Sequence, residues 1–458
     1  MTCHVPATPV SAAPILPPFA FHPPRVYVLE DVWKVPAAAR RAERIAMAAP
    51  GAQVRTIAMD DLPQVVVEEG WDHFPLMGRL ATVPPPIPLL GLFCFDRDEV
   101  RRRAERLRAA YKGSGGFNWH LAAGGGAFVW FDSDGSGHTP CPQHVCRPQW
   151  RLHFGQGCPH QCAYCSLGGV LIQHLNTETY LERLADLLRE NPWQKTFLID
   201  DVADIVTVEP QADCLAPLMR FFERTGDRYL ILHTKSDRFE PLLEAGAPKN
   251  TILVWSLSGP TQSTRLERVG GTTDTRIEAA RRCEAAGFQI RYKFKPIVPV
   301  PAWREEAAYT VEQALTRTRP DNLSMTVLMW MRADDLKGCI PPDKLDAGFL
   351  KAAEDAAPAL ANDRNGPFPE PVREMIYRHY LAEIRRHDPN IPVTISTESL
   401  AMWKRLGKEL GVSPATYVCG CGAGCTPGKR RLHTSPWRDA AAARTWDGRP
   451  PLATGTHD

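Results

Sequence analysis

Residues 157–165 read Gly157-Cys-Pro-His-Gln-Cys-Ala-Tyr-Cys165, a C-x3-C-x2-C run, and this stretch decides the fold. It sets three thiolates on one short loop, within reach of a single cubane. A closed 4Fe-4S site takes four thiolates, so three leave one iron open to a small bidentate ligand. Zinc sites instead pair C-x2-C units and close with four ligands. The run directly follows an expected strand, Arg151–Phe154. Beyond it, Thr196–Ile199, Tyr229–His233, Ile252–Leu257, Gln289–Phe294 and Leu323–Met329 also read as strands. Helical patterns at Thr179–Glu190, Cys214–Arg224, Phe239–Ala245, Asp274–Ala286 and Ala302–Thr318 fall between or after them. This α/β order predicts a parallel sheet curled into a partial (β/α)6 TIM-like barrel. It is shorter than the roughly 250 residues of a full eight-unit barrel, and its site is expected at the C-terminal ends of the strands.

The flanks are less regular. Residues 1–24 are rich in Pro, Ala and Val and read as a disordered or loosely docked arm. Residues 25–149 form a small N-terminal α/β region. It has strands at Arg25–Leu29 and Gln53–Ala58, a helix at Pro36–Ala49, a stiff linker at Val83–Pro88 and a basic helix at Arg97–Lys112. Gly113–Gly126 reads as a loop. The barrel spans 150–330. A helical, cysteine-containing extension covers 331–427, with helices near Pro371–His387 and Ser399–Leu410 and a strand at Ile391–Ile395. Residues 428–458 read as a mobile tail.

Composition narrows the class. At 458 residues and 44% hydrophobic, the chain can build a large core without disulfides. With 54 Lys+Arg against 52 Asp+Glu, global charge cannot hold nucleic acid, although a local basic groove can. No run approaches the ~20 apolar residues of a membrane helix, and no basic-then-apolar leader opens the chain. A cytoplasmic protein is expected. Thirteen cysteines, an odd number, argue against a disulfide framework and towards metal or redox chemistry.

The cysteine motif is that of the radical S-adenosylmethionine (SAM) superfamily, and the stretch Cys158–Trp303 resembles the spore photoproduct lyase family. The segments that carry the resemblance are GCPHQCAYC (157–165), LHTKSDRFEPLL (232–243), VWSLSG (254–259) and RIEAARRCEAAGFQIRYKFKPI (276–297). It implies a 4Fe-4S cluster on Cys158, Cys162 and Cys165 whose open iron takes the amino and carboxylate groups of SAM. It implies that Lys235 and Ser256 help hold SAM, and that Tyr164 belongs to the catalytic group. It implies an electron donor such as flavodoxin or ferredoxin. Reduced cluster would cleave SAM to methionine and a 5′-deoxyadenosyl radical, which abstracts hydrogen from a DNA photoproduct or a related nucleic-acid base.

Two departures stand out. The family carries a hydrogen-donor cysteine shortly after its second barrel strand. Here that region is Ile199-Asp-Asp-Val-Ala-Asp204, and the matching position falls near Asp201, which cannot donate a hydrogen atom as a thiol does. Cys214 lies well downstream, at the start of the next expected helix, and is a poor substitute unless the loop folds back. The family also places tyrosines on both sides of the third cluster cysteine, whereas this chain has Tyr164 and Ser166. Asp200, Asp201 and Asp204 therefore read two ways, as ligands for the SAM amino group or a polar substrate, or as helix caps and solvated carboxylates. His160 reads as packing near the cluster.

A second group, Cys419-Gly-Cys421-Gly-Ala-Gly-Cys425, lies in a glycine-rich loop that can fold tightly round a metal. It reads as an auxiliary Fe–S cluster, a zinc site, a thiol site for a soft ligand, or plain thiols on a flexible loop. Cys141 and Cys146 are candidate fourth ligands. Arg101, Arg102, Arg103, Arg106 and Arg108, with Lys429, Arg430 and Arg431, read as phosphate-tracking cations or as a solvated face interleaved with Asp98, Glu99 and Glu105. Three functions follow. The first is a radical SAM enzyme acting on a DNA photoproduct. The second is one acting on a peptide or small metabolite with an auxiliary cluster. The third is a non-catalytic Fe–S or zinc protein that binds nucleic acid.

Overall fold

A computed structural model describes residues 19–73, 85–131, 145–146, 149–165, 167, 170–199, 201–246, 248–267, 269–363, 365–410, 420–422 and 424–428. The arm before residue 19, the tail after 428, and Cys141, Ser166, Asp200 and Cys419 lie outside them.

The described strands are β1 (Arg25–Leu29), β2 (Gln53–Ile57), β3 (Ile87–Gly91), β4 (Phe128–Phe131), β5 (Gln149–Leu152), β6 (Gly155–Gln156) and β7 (Val170–His174). They continue as β8 (Thr196–Ile199), β9 (Tyr229–Thr234), β10 (Thr251–Ser256), β11 (Gln289–Ile297), β12 (Leu323–Val327) and β13 (Val393–Ile395). They form two sheets. The larger has the order β13-β12-β11-β10-β9-β8-β5-β4. All its pairings are parallel except β4 with β5. Its parallel strands are buried on both faces and read as near-continuous apolar runs, for example Tyr229–Thr234 and Thr251–Ser256.

Strand alternation sorts the side chains. Leu230, Leu232, Leu253, Trp255, Tyr292 and Phe294 point to the main core under the helices, while Leu198, Ile231, Ile252 and Val254 form a separate inward-facing cluster. Residues from both edges of the sheet, such as Phe131 on β4 and Thr326 and Ser396 near β13, line one cavity, so the sheet curves round it.

The structure departs from the expected layout in three places. The sheet has seven parallel strands rather than six. The strand expected between the C-terminal helices is β13, which pairs with β12 through Leu323–Met325 and so lies across the expected boundary at residue 330. The segment read as a linker, Val83–Pro88, runs into β3, whose buried Ile87 and Pro88 pair with Val170 and Leu171. Pro88 is tolerated there although it cannot donate to the ladder. Finally, β6 and β7 leave the barrel region and join the N-terminal sheet, with the order β2-β1-β3-β7-β6. The loop between β6 and β7 carries the first cysteine run, so that run hangs at the junction of the two sheets.

Phe19 and Phe21 are buried and stacked, and Phe19 N donates to Ala48 O at 2.8 Å, so the chain is docked from residue 19. The basic helix spans Arg97–Ala110. Its arginines pair with carboxylates: Arg101 with Asp98 and Arg102 and Arg103 with Glu99 on the same helix, and Arg106 with Asp60 from another segment. This is the solvated-face reading. No helix among the described residues is long and apolar enough to cross a membrane.

Candidate active site

The cysteine loop is fixed at several points. Gly157 N donates to Val202 O at 2.9 Å and Cys158 N to Leu167 O at 2.8 Å. Ala163 N donates to Leu266 O at 2.8 Å, next to a bridge between Cys162 and Glu267. Gly157 has φ +107°, and a Cβ there would lie 2.1 Å from Val170 O, so only glycine lets the loop leave β6 this close to β7.

Cys158, Cys162 and Cys165 all line a cavity of about 530 Å³ on the concave face of the large sheet. That size suits a cofactor with part of a substrate. None of the three is in a disulfide. Burial pushes the Cys162 thiol up to about 12 and raises the Cys158 thiol as well, so metal binding at these two must displace a proton. Among the described residues, no three His, Cys, Asp or Glu side chains converge on a single ion. Three thiols on one cavity lining are the donor set that a 4Fe-4S cluster with one open iron takes.

Behind the loop sits a buried ionic network centred on Glu267. Its carboxylate accepts from Arg276 Nη1 at 2.6 Å, Lys235 Nζ at 3.0 Å, Ser258 Oγ at 2.9 Å, Gln262 Nε2 at 3.0 Å and the Tyr164 hydroxyl. Burial alone would raise the Glu267 carboxyl, but Lys235 and Arg276 override it and hold it well below the usual carboxylate range. Lys235 Nζ is also 3.0 Å from Tyr164 Oη. The network therefore aims Tyr164 and Lys235 at the cavity beside the cysteines. A second buried pair locks His160, whose Nε2 lies 2.7 Å from Asp204 Oδ2. Asp204 also accepts from Thr234 Oγ1 at 3.0 Å and Lys235 N at 2.8 Å. Asp204 thus ties the loop to the end of β9; it is buried rather than solvated, and although it stands at the N-cap of the turn Ile205–Val208, its side chain does not cap it.

Of the described candidates, Tyr164, Asp201, Lys235, Ser256, the three loop cysteines and Cys421 line this cavity, whereas Cys425 and the arginines of the helix Arg97–Ala110 do not. Ser256 ends β10, and its carbonyl accepts from Arg276 Nη1 at 3.2 Å. Asp201 is ion-paired with Arg151, whose guanidinium stacks 3.4 Å from the Phe131 ring centroid. Cys425 is buried, and its carbonyl accepts from Arg291 Nη2 at 2.8 Å. Cys214 is buried at the start of a helix with Sγ 3.0 Å from Glu209 Oε1, away from the cavity lining.

Sequence reasoning missed the basic side of the cavity. Lys293 and Lys295 line it, with Lys293 Nζ 2.8 Å from His233 Nδ1 and Lys295 Nζ 5.0 Å from the Trp330 ring centroid. Burial, then Lys295, lowers Lys293 to about 7. The signal was present: Arg291, Lys293 and Lys295 alternate along β11, which puts three cations on one face. Glu267 carried no local signal, because its partners come from three separate segments.

Residues 147–332 match the family model described as spore photoproduct lyase. No curated protein matches the chain in sequence. Among solved structures, a cysteine-to-alanine variant of spore photoproduct lyase with dinucleoside spore photoproduct superposes with TM-score 0.54 at 15% identity, covering 82% of this chain and 98% of that one. A double variant with bound AdoMet and dinucleoside spore photoproduct gives TM-score 0.53 at 14% identity over the same shares, 82% and 98%. At such identity the likeness establishes a common α/β fold.

Proposed function

We propose that this chain, whose residues 147–332 match the spore photoproduct lyase family model, is a radical SAM enzyme that repairs a DNA photoproduct of the dinucleotide class. The observation that carries the proposal is the convergence of Cys158, Cys162, Cys165, Tyr164, Lys235 and Ser256 on one cavity that Arg151, Lys293 and Lys295 also line. When bound, a 4Fe-4S cluster and SAM supply a 5′-deoxyadenosyl radical for hydrogen abstraction.

The chain's own residues do the rest. The three cysteines hold the cluster as thiolates. Lys235, fixed by Glu267 and Tyr164, meets the SAM carboxylate, and the Ser256 hydroxyl meets a second polar group of SAM. The curved sheet, read as the partial barrel of the superfamily, keeps water and stray hydrogen donors out. Lys293, Lys295 and Arg151 face the space left for substrate and suit a phosphodiester. A flavodoxin- or ferredoxin-class donor supplies the electron.

The second reading, a radical SAM enzyme for a peptide or small metabolite with an auxiliary cluster, draws on one observation: Asp201 is locked to Arg151 where the family carries its thiol. An anaerobic assay separates the two. Reconstituted, reduced protein is mixed with SAM and dinucleotide spore photoproduct. Thymidine dinucleotide above a Cys158→Ala control is the expected result. Deoxyadenosine without repair would sink the substrate assignment and leave the second reading.

A further inference from the structure

The cavity holds a thiol that the cluster does not use, on a segment far away in sequence. Gly420 and Cys421 lie on its lining. Arg291 Nη1 holds Gly420 O at 3.0 Å, Thr196 Oγ1 holds Gly422 O at 2.6 Å, and Gly428 N reaches Asp321 Oδ2 at 3.0 Å. These anchors set Cys421 against the inward cluster of Leu198, Ile231, Ile252 and Val254, and on the cavity lining with Lys293 and the cysteine loop. An independent feature says that this chamber takes a polar ligand. Gln149, 2% exposed and on the same lining, has no hydrogen-bond partner for its Oε1 among the described residues. Buried polar atoms are nearly always paired, so a bound molecule is its natural partner.

We propose that Cys421 is the hydrogen-atom donor of the chamber, quenching the carbon radical left on the substrate, a role Asp201 cannot fill. This rests on the radical SAM reading above. The chemistry favours sulfur because S–H is among the weakest X–H bonds a side chain offers, whereas a carboxylate offers none. In the step, the Cys421 S–H bond breaks homolytically and a C–H bond forms on the substrate, leaving a thiyl on Cys421. One electron from the same low-potential one-electron donor, with one proton, restores the thiol. Cys146 also lines the cavity, but its neighbour Val145 is bonded through the main chain to Thr397 and Glu398, past the end of β13, which places it towards that edge.

The test starts from cluster-loaded protein in heavy water, where thiol hydrogens exchange with solvent. With the dinucleotide, wild type is expected to return product carrying deuterium. Cys421→Ala and Cys421→Ser are expected to keep forming deoxyadenosine and to lose that deuterium. Retained deuterium in both variants, or its loss in Cys146→Ala alone, would overturn the proposal.

If wild type forms deoxyadenosine but repairs nothing, the substrate assignment has failed. Uncoupled turnover then decides Cys421 independently: deoxyadenosine from wild type should carry solvent deuterium, and that from Cys421→Ala should not. Two readouts need no turnover. Metal analysis should give about four irons per chain and no zinc, with the count unchanged in Cys421→Ser. Iodoacetamide labelling of Cys421, mapped by mass, should slow when SAM and thymidine dinucleotide are added. About eight irons, bound zinc, or labelling indifferent to both ligands would each overturn the assignment.

Discussion

Glu267 gathers charge that the fold has otherwise excluded from water. Its partner Arg276 has a fully buried side chain, so the pair is stable only while both charges remain. Glu267→Gln keeps the shape and removes the charge. It should cost roughly 3–5 kcal/mol, read as a lower urea midpoint at unchanged slope. A midpoint at the wild-type value would mean that the network does not hold the loop.

Lys293 poses the converse case, a cation held in the cavity beside an imidazole. In the unfolded chain it titrates at its ordinary 10.5, and in the fold at about 7. Between those values the unfolded state binds the extra proton, so this group's contribution to stability rises with pH from about 7 to 10.5. Lys293→Met should therefore melt above wild type at pH 7, with the advantage shrinking as the pH rises towards 10.5. Bound phosphodiester should reverse the order. Thymidine dinucleotide is expected to bind wild type more tightly at pH 6 than at pH 8, and Lys293→Met should show no such change.

At the level of elements, the barrel strands and their order were readable because each is a short apolar run followed by a helix. The alternation of Arg291, Lys293 and Lys295 also carried the inward face of β11, a signal the sequence reading did not use. Non-local pairing was not readable. Nothing within Val393–Ile395 says that it extends the sheet beside β12, and nothing within Val170–His174 says that it joins β3. In both cases the partner comes from a distant part of the chain.

The candidate site followed the same division. The cysteine loop was legible as a motif, and Lys235 and Ser256 came into view only through the family resemblance, whereas Glu267, Gln149 and the approach of Cys421 depend on tertiary contact. That approach hinges on Arg291, which holds the carbonyls of Gly420 and Cys425 and pairs with Asp321 at 2.6 Å. Arg291→Met strips these bonds and leaves Asp321 without its guanidinium. Limited proteolysis is expected to cut in the region 411–428 much faster than in wild type, with iron content preserved. Equal cutting rates would mean that the segment is held by something other than Arg291.

Across the whole molecule, the two sheets behave as one body because the chain is stitched between them. The hairpin that carries the cysteine loop belongs to the N-terminal sheet, while the cavity it serves belongs to the large one. Arg41, on the helix Pro36–Met47, reaches across the junction. It donates to Leu175 O at 3.1 Å and Asp213 O at 3.1 Å and pairs with Glu178 at 2.8 Å. Arg44, one turn on, donates to Gln211 O at 3.3 Å. One apolar core runs without a break from Val26 and Val28 through Phe93, Phe154 and Tyr180 to the barrel helices.

A domain with a core of its own would be free to melt separately, but these sheets share theirs. Thermal unfolding of the whole chain should accordingly be a single transition, coincident by far-UV and near-UV circular dichroism. Arg41→Met leaves buried carbonyls unpaired at the seam and should cost about 1–3 kcal/mol. If the shared core is what couples the sheets, this variant will melt lower yet still in one step. Two resolved transitions would place the coupling in the polar stitches instead. The cysteine loop would then be expected to lose its iron at the first of them, since its hairpin would leave with the N-terminal sheet.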